Sequence, residues 1–318
     1  INSNNSSLIR YNPSLLTFIN NNEKLLFDFQ LNLLSIQERR SILVKDYFGD
    51  FLTYADYVNN KNIYNYLQGG IVGSFKDQIG FGLSILPLTS FNYDYIEEIR
   101  GSADIEDGDI GMKDPLVGYQ IFRTSGLLKT VSLASSYTQK FNNNSIHFGL
   151  GYHKVLNTEI IDDIHLDSLT TQIENFSSVQ NYYSKQTFED LGNYYSMGIS
   201  YSNNEFLFSL VVEPDILIKT DEYQGLNFID SVGTISYLDS TNTQFSLEGF
   251  SHYKPAKLSF GISYKPKSNS DLTVSAEIQS NQINNQDQIN YLKNHLIYKL
   301  GFEYILPSSA PIRVGIVY

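Results

Sequence analysis

Carboxylates and an imidazole at alternating positions are the side chains of this sequence best suited to metal chemistry. Asp163, His165 and Asp167 would share one face of an extended chain and could hold a divalent cation. An acidic solvated loop explains the same residues equally well. A second acidic run, 104–109, resembles half of a calcium loop, but its ligand spacing departs from the EF-hand pattern. We therefore expect neither a bound metal nor a cofactor.

Motifs of enzyme active sites are missing. The five histidines form no His-Glu-x-x-His motif, and the sequence has no Gly-x-Ser-x-Gly and no phosphate-binding loop. With no cysteine, the sequence has no nucleophilic thiol, disulfide or thiolate metal site. His147 and His153 are predicted to be polar lining on one face of a sheet. We predict that the protein is not an enzyme.

A repeated five-residue phrase indicates the elements that position these residues. The order is apolar, Gly, apolar, any residue, Tyr, and it occurs at 148–152, 197–201, 260–264, 300–304 and 314–318. Because alternate residues of a strand point to opposite faces, each phrase predicts a strand with one apolar face. The other face carries Gly, Ser or charged residues. The apolar face either lines the core of a sandwich or contacts lipid around a barrel.

Composition narrows the classes of protein that fit. A net charge of −12 argues against nucleic-acid binding, which needs a basic face. Only 18% of residues are charged, whereas 24 are Tyr and 20 are Phe. This balance suits a barrel with aromatic girdles at two water–lipid boundaries. No apolar run approaches the roughly 20 residues of a membrane-spanning helix.

The order of strands and connections is typical of an outer-membrane barrel. The alternation of apolar and polar residues predicts strands at about 25–33, 64–75, 79–87, 90–100, 128–140, 144–155, 193–202, 205–213, 227–238, 243–252, 257–266, 271–280, 294–305 and 311–318. Residues 36–62 are predicted to be part strand and part loop. Short turns at 76–78, 142–143, 202–204 and 268–270 alternate with longer connections, of which 101–115 and 156–192 are predicted to be long loops.

The polar face of the last strands helps to decide between barrel and sandwich. It carries Glu277, Lys299, Glu303 and Arg313, which in a barrel would be polar lumen residues, and a hairpin near Ser308 would place Glu303 across from Arg313. Elsewhere this face is mostly Gly, Ser and Thr, as crowded barrel interiors prefer. The pattern therefore favours a barrel over a soluble sandwich.

Two segments resemble a known family. Tyr11-Asn12-Pro13-Ser14-Leu15-Leu16 is similar to an Asn-Pro-Ala-x-Leu element of FadL-type outer-membrane transporters. Residues 79–87, followed by Asn92-Tyr93-Asp94-Tyr95, resemble the family's Gly-x-Gly-x-x-x-x-Pro … Tyr segment. FadL-type proteins carry hydrophobic compounds, notably long-chain fatty acids. The branch that this chain most resembles is that of Bacteroidetes-related bacteria.

The resemblance implies an all-β fold, an antiparallel transmembrane β-barrel of about 14 strands with a short N-terminal plug. Residues 1–23 would form the plug and 24–318 the barrel. The protein would be a monomer in the bacterial outer membrane, surrounded by lipid, and would passively take up a hydrophobic small molecule, a fatty acid or hydrocarbon, which leaves sideways through the wall. The implied ligand contacts are Asn12, Pro13, Leu15, Leu16 and Phe18 near the plug, and Phe176, Tyr182 and Tyr183 in the long loop.

Two other functions fit the same sequence. One is a non-transporting barrel that serves as scaffold or shuttle for secreted proteins, as in type IX secretion. The other is a soluble exported β-sandwich that acts as a binding module. A cavity between plug and wall would favour transport, and two stacked sheets with Phe260, Leu300 and Phe302 sealed between them would favour the sandwich.

Overall fold

The computed structural model describes residues 5–18, 25–45, 48–100, 116–156, 159–168, 181–187, 191–219, 223–228, 245–247, 251–269, 271–283, 294–307 and 310–318. Nineteen strands lie in this part of the chain. They are β1 (Leu25–Lys45), β2 (Phe51–Phe75), β3 (Ile79–Ser90), β4 (Tyr93–Arg100), β5 (Leu116–Ser125), β6 (Leu127–Phe141), β7 (Asn144–Leu156), β8 (Glu159–Ser168), β9 (Asn181–Thr187), β10 (Asn193–Ser202), β11 (Phe206–Glu213), β12 (Ile216–Lys219), β13 (Tyr223–Phe228), β14 (Phe245–Leu247), β15 (Ser251–Lys254), β16 (Ala256–Tyr264), β17 (Leu272–Gln282), β18 (His295–Ile305) and β19 (Pro311–Val317).

One large antiparallel sheet dominates the structure. It has eleven strands in the order β1-β2-β3-β6-β7-β10-β11-β16-β17-β18-β19. Tight turns at 76–78, 142–143 and 203–204 join neighbouring strands at one end of this main sheet, which we call the turn end. At the opposite end, the loop end, β4, β5, β8, β9, β13 and β14 form a second sheet, and β12 pairs with β15.

Helical structure is confined to the N-terminal segment, by which we mean residues 5–18. It contains α1 (Leu8–Tyr11) and a 3₁₀ helix (Pro13–Phe18). Neither is long enough to cross a lipid bilayer, and the described part of the chain has no other helix that could.

The apolar face of the main sheet is exposed. Phe260, Leu300 and Phe302 keep 49%, 54% and 52% of their surface accessible. In a sandwich these side chains would be sealed between two sheets. The sandwich alternative is therefore wrong for the strands that the structure describes, and the alternating apolar residues form an exposed face of one sheet.

The opposite, polar face is buried in β3, β6, β7, β10, β11 and β16 and is more open in β18 and β19. Ser196, Ser200 and Ser259 are nearly inaccessible, as are His147 and His153. The N-terminal segment covers part of this face and brings its own core, a cluster of Leu8, Ile9, Leu15, Leu16 and Val72. Where the N-terminal segment lies against this face, the residues are small because the segment occupies the space of larger side chains.

Most strands predicted for the main sheet are found close to their predicted bounds. Glu303 and Arg313 are directly opposed and ion-paired, which confirms the predicted register of the last hairpin. The β1–β2 hairpin is longer than predicted, because its strands continue to Lys45 and begin again at Phe51. Alternation fades in that extension because both of its faces are largely exposed.

The interval 156–192, predicted as one long loop, contains β8 and β9 of the second sheet. Apolar and acidic residues occur there in adjacent pairs, as in Ile160-Ile161 and Asp162-Asp163, so that no period of two is visible. The predicted loop 101–115 and most of the strands predicted at 227–238 and 243–252 lie outside the described residues.

Candidate functional site: a charged cavity beside the N-terminal segment

Hydrogen bonds fix the N-terminal segment to the polar face of the main sheet. The hydroxyls of Ser14 and Ser200 are 2.6 Å apart, and those of Thr17 and Thr138 are also 2.6 Å apart. Near the start of the segment, the Ser6 amide donates to the Asp28 carboxylate at 2.8 Å. These contacts reach β1, β6 and β10, so the segment crosses the face of several strands.

Close approach of the segment explains a glycine in the repeated phrase. A Cβ added at Gly149 would overlap the backbone of Pro13 and Ser14. At Gly80, an added Cβ would lie 2.8 Å from the Cβ of Leu16. Both positions therefore require glycine because another part of the chain occupies the space of a side chain.

A cavity of about 620 Å³ lies between the N-terminal segment and the main sheet. Its first wall is the segment itself, with Leu8, Arg10, Tyr11, Asn12 and Leu15. The facing wall is the polar face of β11, β16, β17 and β18, and its members are Ser209, Val211, Glu213, Lys257, Ser259, Gly261, Glu277, Gln279, Asn281 and Lys299. At the loop end it is bounded by Leu88, Thr89, Tyr253, Lys254 and Pro255. We call this space the inner cavity.

Positive charge exceeds negative charge around the inner cavity. Its lining contains four cations, Arg10, Lys254, Lys257 and Lys299, and two carboxylates, Glu213 and Glu277, a net charge of +2. Both carboxylates are already paired. The Nζ atoms of Lys257 and Lys254 lie 2.7 and 3.1 Å from the Glu213 carboxylate, and Lys299 lies 2.9 Å from Glu277.

Arg10 has unused hydrogen-bonding capacity. Its Nη1 donates to the carbonyl of Pro87 at 2.6 Å, and its guanidinium lies over the ring of Tyr11. The side chain is only 9% exposed, yet its buried Nε has no hydrogen-bond partner among the described residues. A buried donor left unpaired costs free energy, and the side chain that carries this nitrogen lines the inner cavity.

The structure brings some of the predicted ligand contacts to this cavity. Asn12 and Leu15 line it. Pro13 and Leu16 are buried against the sheet at Gly149 and Gly80. Phe18 is 40% exposed and its ring lies 4.4 Å from the ring of His147, at the other end of the segment.

Of the predicted ligand contacts in the long loop, the structure describes only the backbones of two. Tyr182 and Tyr183 lie in β9, where their backbones pair with Ile164 and Asp163. Their side chains, like all of Phe176, lie outside the described residues. A role in ligand capture stays a prediction for these three aromatics.

The predicted polar residues divide into two pairs. Glu277 and Lys299 line the inner cavity, whereas Glu303 and Arg313 form their ion pair nearer the turn end. Sequence reasoning did not select Arg10, Glu213, Lys254 or Lys257. For Glu213 and Lys257 the sequence did contain a signal, because these oppositely charged residues lie at the ends of two predicted strands. The structure pairs the two residues in register.

His153 and His165 are both hydrogen-bonded to neighbouring side chains. His153 bonds to the hydroxyls of Ser132 and Ser196, both at 2.8 Å, which fits the predicted polar lining. His165 lies 3.1 Å from Asp163. No group of three potential metal ligands occurs in the described part of the chain.

A separate aromatic cluster lies at the loop end. The ring of Tyr95 contacts those of Tyr93 and Phe122, and Arg40 lies over it at 5.6 Å. Burial, together with the hydrogen bond from its hydroxyl to Glu97, raises the pKa of Tyr95 to about 12. This cluster ties the β1–β2 hairpin to the second sheet.

Comparison with solved structures identifies the fold. A FadL homologue of Pseudomonas aeruginosa matches 99% of this chain and 75% of its own, with a TM-score of 0.53 at 13% identity. The toluene transporter TbuX of Ralstonia pickettii matches 98% of this chain and 81% of its own, with a TM-score of 0.53 at 14% identity. The P. putida toluene transporter TodX matches 98% and 78%, with a TM-score of 0.51 at 12% identity.

The chain thus has the fold of the FadL-type proteins, as the resemblance in sequence implied. No protein-family model matches the chain, and no curated protein matches its sequence. The Bacteroidetes-like branch stays a prediction.

Proposed function

We propose that this protein is an outer-membrane channel for the passive uptake of hydrophobic molecules that carry an acidic group, such as long-chain fatty acids. The main sheet forms the wall of a barrel spanning 24–318, and residues 1–23 form its plug. The exposed apolar face contacts membrane lipid, and the channel works as a monomer.

The inner cavity is the observation that carries this proposal. It lies between the N-terminal segment and the wall, where a plug would hold a ligand that has entered. Its volume of about 620 Å³ falls in the range of small-molecule sites. The scaffold alternative required no such cavity.

The positive charge of the cavity lining distinguishes an acidic hydrophobic ligand from a neutral one. The similar structures include toluene transporters, but toluene has no charge and no oxygen or nitrogen atom that could accept a hydrogen bond from Arg10. A carboxylate would meet the Arg10 side chain in a lining with a net charge of +2, while its apolar chain would contact Leu8, Tyr11 and Leu15. This lining therefore supports a fatty acid over a neutral hydrocarbon.

A binding comparison tests the proposal. Purified protein in detergent is titrated with oleate and with toluene, as wild type and as Arg10→Gln. We expect wild type to bind oleate, and Arg10→Gln to bind it about 10- to 100-fold more weakly, since a hydrogen bond to a charged group contributes about 1.5–3 kcal/mol. Binding of toluene should not respond to the substitution.

The matched control is Arg313→Gln, which removes an arginine of the same polar face that does not line the cavity. It should bind oleate as wild type does. Equal oleate affinity in wild type and Arg10→Gln would contradict the ligand assignment, and no binding of either compound by wild type would contradict the proposed function itself.

A further inference from the structure

Two lysines lie next to each other on the apolar face of the main sheet. Lys154 of β7 follows Leu150 and Tyr152 on that face and is directly opposed to Val131 of β6. Lys129 lies two residues from Val131 on the same face of β6. Diagonal neighbours of this kind are about 7–8 Å apart, so both ammonium groups can reach one ligand group. We call Lys129 and Lys154 the lysine pair.

The lysine pair has no counter-ion within the described part of the chain. Neither lysine takes part in an ion pair there. The residues directly opposed to the pair are uncharged, namely Pro87 and Leu156 for Lys129, and Val131 and Asn193 for Lys154. Like charges at neighbouring positions of a sheet repel each other. An anion between the two ammonium groups would therefore be stabilising.

Lysines at the turn end of the main sheet differ in this respect. Lys140 lies 3.9 Å from the carboxylate of Asp77, and Lys267 lies 3.4 Å from that of Glu205. A lysine at a membrane boundary can extend its ammonium group into the headgroup region without a specific partner. Such an extension explains a single lysine, but it leaves the repulsion between two adjacent lysines uncompensated.

The lysine pair lies at the level expected for a membrane boundary. On the same face and nearer the turn end, the rings of Tyr152 and Tyr195 are 5.4 Å apart. Aromatic girdles mark the water–lipid boundaries of outer-membrane barrels, and their long loops are extracellular. Because β5 and β8 of the second sheet continue from this level at the loop end, the pair faces the headgroups of the outer leaflet.

An apolar groove lies beside the lysine pair on the same face. It has a volume of about 540 Å³ and is lined by Tyr195, Met197, Val212 and Leu258 among others. We call it the outer groove. Tyr195 connects it to the pair, because its ring contacts that of Tyr152 and the preceding Asn193 is paired with Lys154. A single lipid can therefore contact both features.

The charged side chains that line the outer groove already have partners. Glu213 and Lys257 are ion-paired at 2.7 Å. The Asp215 carboxylate accepts a hydrogen bond from the Tyr253 hydroxyl at 2.8 Å. The groove therefore offers a ligand mainly apolar surface, which suits an acyl chain.

We propose that the lysine pair and the outer groove bind one phosphorylated lipid of the outer leaflet, of the lipid A type. Its phosphate lies between the two ammonium groups, and one of its acyl chains lies in the groove. A phosphorylated and acylated sugar supplies negative charge at the headgroup level with hydrocarbon directly beneath it, as the two features require. The proposal rests on the membrane location in the proposed function, but not on the ligand of the inner cavity.

Lipid binding by the purified protein in detergent tests this site. Wild type and two double variants are titrated with lipid A, and bound lipid is measured by native mass spectrometry. Lys129→Gln with Lys154→Gln should bind lipid A at least about tenfold more weakly than wild type, because two charge-assisted hydrogen bonds are lost. Lys76→Gln with Lys140→Gln is the matched control, since it removes the same charge at the turn end, and it should bind as wild type does.

Two further ligands distinguish a lipid phosphate from other sources. Dephosphorylated lipid A should bind wild type more weakly than lipid A, and this difference should vanish in Lys129→Gln with Lys154→Gln. Inorganic phosphate at millimolar concentration should not displace lipid A, because it cannot occupy the outer groove. Equal lipid A affinity of wild type and this double variant, equal binding with and without the phosphates, or displacement by inorganic phosphate would overturn the proposal.

The acyl chain is tested by a second pair of variants. Met197→Trp places a larger ring in the outer groove, whereas Ile199→Trp places it on the same face of β10 outside the groove. Met197→Trp should weaken lipid A binding several-fold, and Ile199→Trp should leave it unchanged. Equal affinity of the two variants would contradict the role of the groove.

Oleate separates this proposal from the proposed function. None of the substituted residues lines the inner cavity, so every variant should bind oleate as wild type does. A wild type that binds lipid A through the lysine pair but does not bind oleate would contradict the proposed function and support the lipid site.

Discussion

At the scale of single residues, glycine and arginine show what the sequence could and could not predict. The repeated phrase predicted strands and a face of small residues. It did not predict that Gly149 is small because Pro13 and Ser14 lie on it, since these residues are more than a hundred positions away. Arg10 has no distinguishing neighbours in sequence. Its role depends on folding next to Glu213, Lys254 and Lys257, which only the strand ladder brings together.

Gly149→Val should displace the N-terminal segment. Overpacking a tight contact costs about 1–3 kcal/mol, and here the backbone of Ser14 has to move. We expect faster cleavage of the segment in limited proteolysis and higher ion conductance in planar bilayers. Gly301→Val is the control, because its added Cβ would meet nothing closer than the Ser275 hydroxyl at 3.2 Å. Identical behaviour of the two variants would show that the segment is not held by this contact.

Tyr95 should ionise well above ordinary tyrosines. Its pKa in the folded protein is about 12 against an ordinary 10.0, because burial and the bond to Glu97 disfavour the phenolate. The neutral form therefore contributes stability that is complete below pH 10 and is lost as the pH rises through 12. The difference between phenolate absorbance titrations of wild type and Tyr95→Phe should rise near pH 12. In denaturant it should return to the ordinary range, and a folded-state difference near pH 10 would contradict the assigned environment.

At the scale of elements, the alternation of apolar and polar residues predicted the strands of the main sheet, whose two faces differ in exposure. β10 has the predicted bounds, and β16 to β19 lie within two residues of theirs. β8 and β9 were missed because apolar and acidic residues occur in adjacent pairs there, so that no period of two is visible. The extension of the β1–β2 hairpin was only partly predicted because both of its faces are largely exposed.

A charged substitution can test whether the exposed apolar face of these strands contacts lipid. Leu150 is 48% exposed on the middle of β7, and Leu52 is 59% exposed near the tip of the β1–β2 hairpin. Leu150→Arg should lower the free energy of unfolding in lipid by about 2–4 kcal/mol, as arginine does at the bilayer midplane of such barrels. Leu52→Arg should change it by less than about 0.5 kcal/mol, as surface substitutions do. Equal effects in chemical denaturation would mean that both residues face water.

At the scale of the whole molecule, the main sheet has two edge strands, and we expect them to be joined by closure of the sheet. β1 and β19 are the outer strands of the main sheet, and no ladder joins them within the described residues. Free edges promote pairing with other chains, so we expect the wall to be closed in the membrane. The predicted total of about 14 strands stays a prediction.

Gel migration tests this closure. A closed barrel resists detergent until it is heated, so the unheated protein should migrate differently from the boiled protein, with the boiled form at its chain mass of 36.2 kDa. The Leu52→Arg variant should keep this shift, since the hairpin tip lies outside the wall. One position for heated and unheated protein would indicate an open sheet.

We expect the exposed apolar side chains of the main sheet to contact the hydrocarbon of a membrane. Because the sequence contains no tryptophan, a single one can report its own surroundings. Phe260→Trp places it on the apolar face, and Leu52→Trp places it at the hairpin tip. In vesicles with brominated acyl chains, we predict strong quenching and blue-shifted emission for Phe260→Trp and unquenched emission for Leu52→Trp. Unquenched, water-like emission from Phe260→Trp would contradict the account.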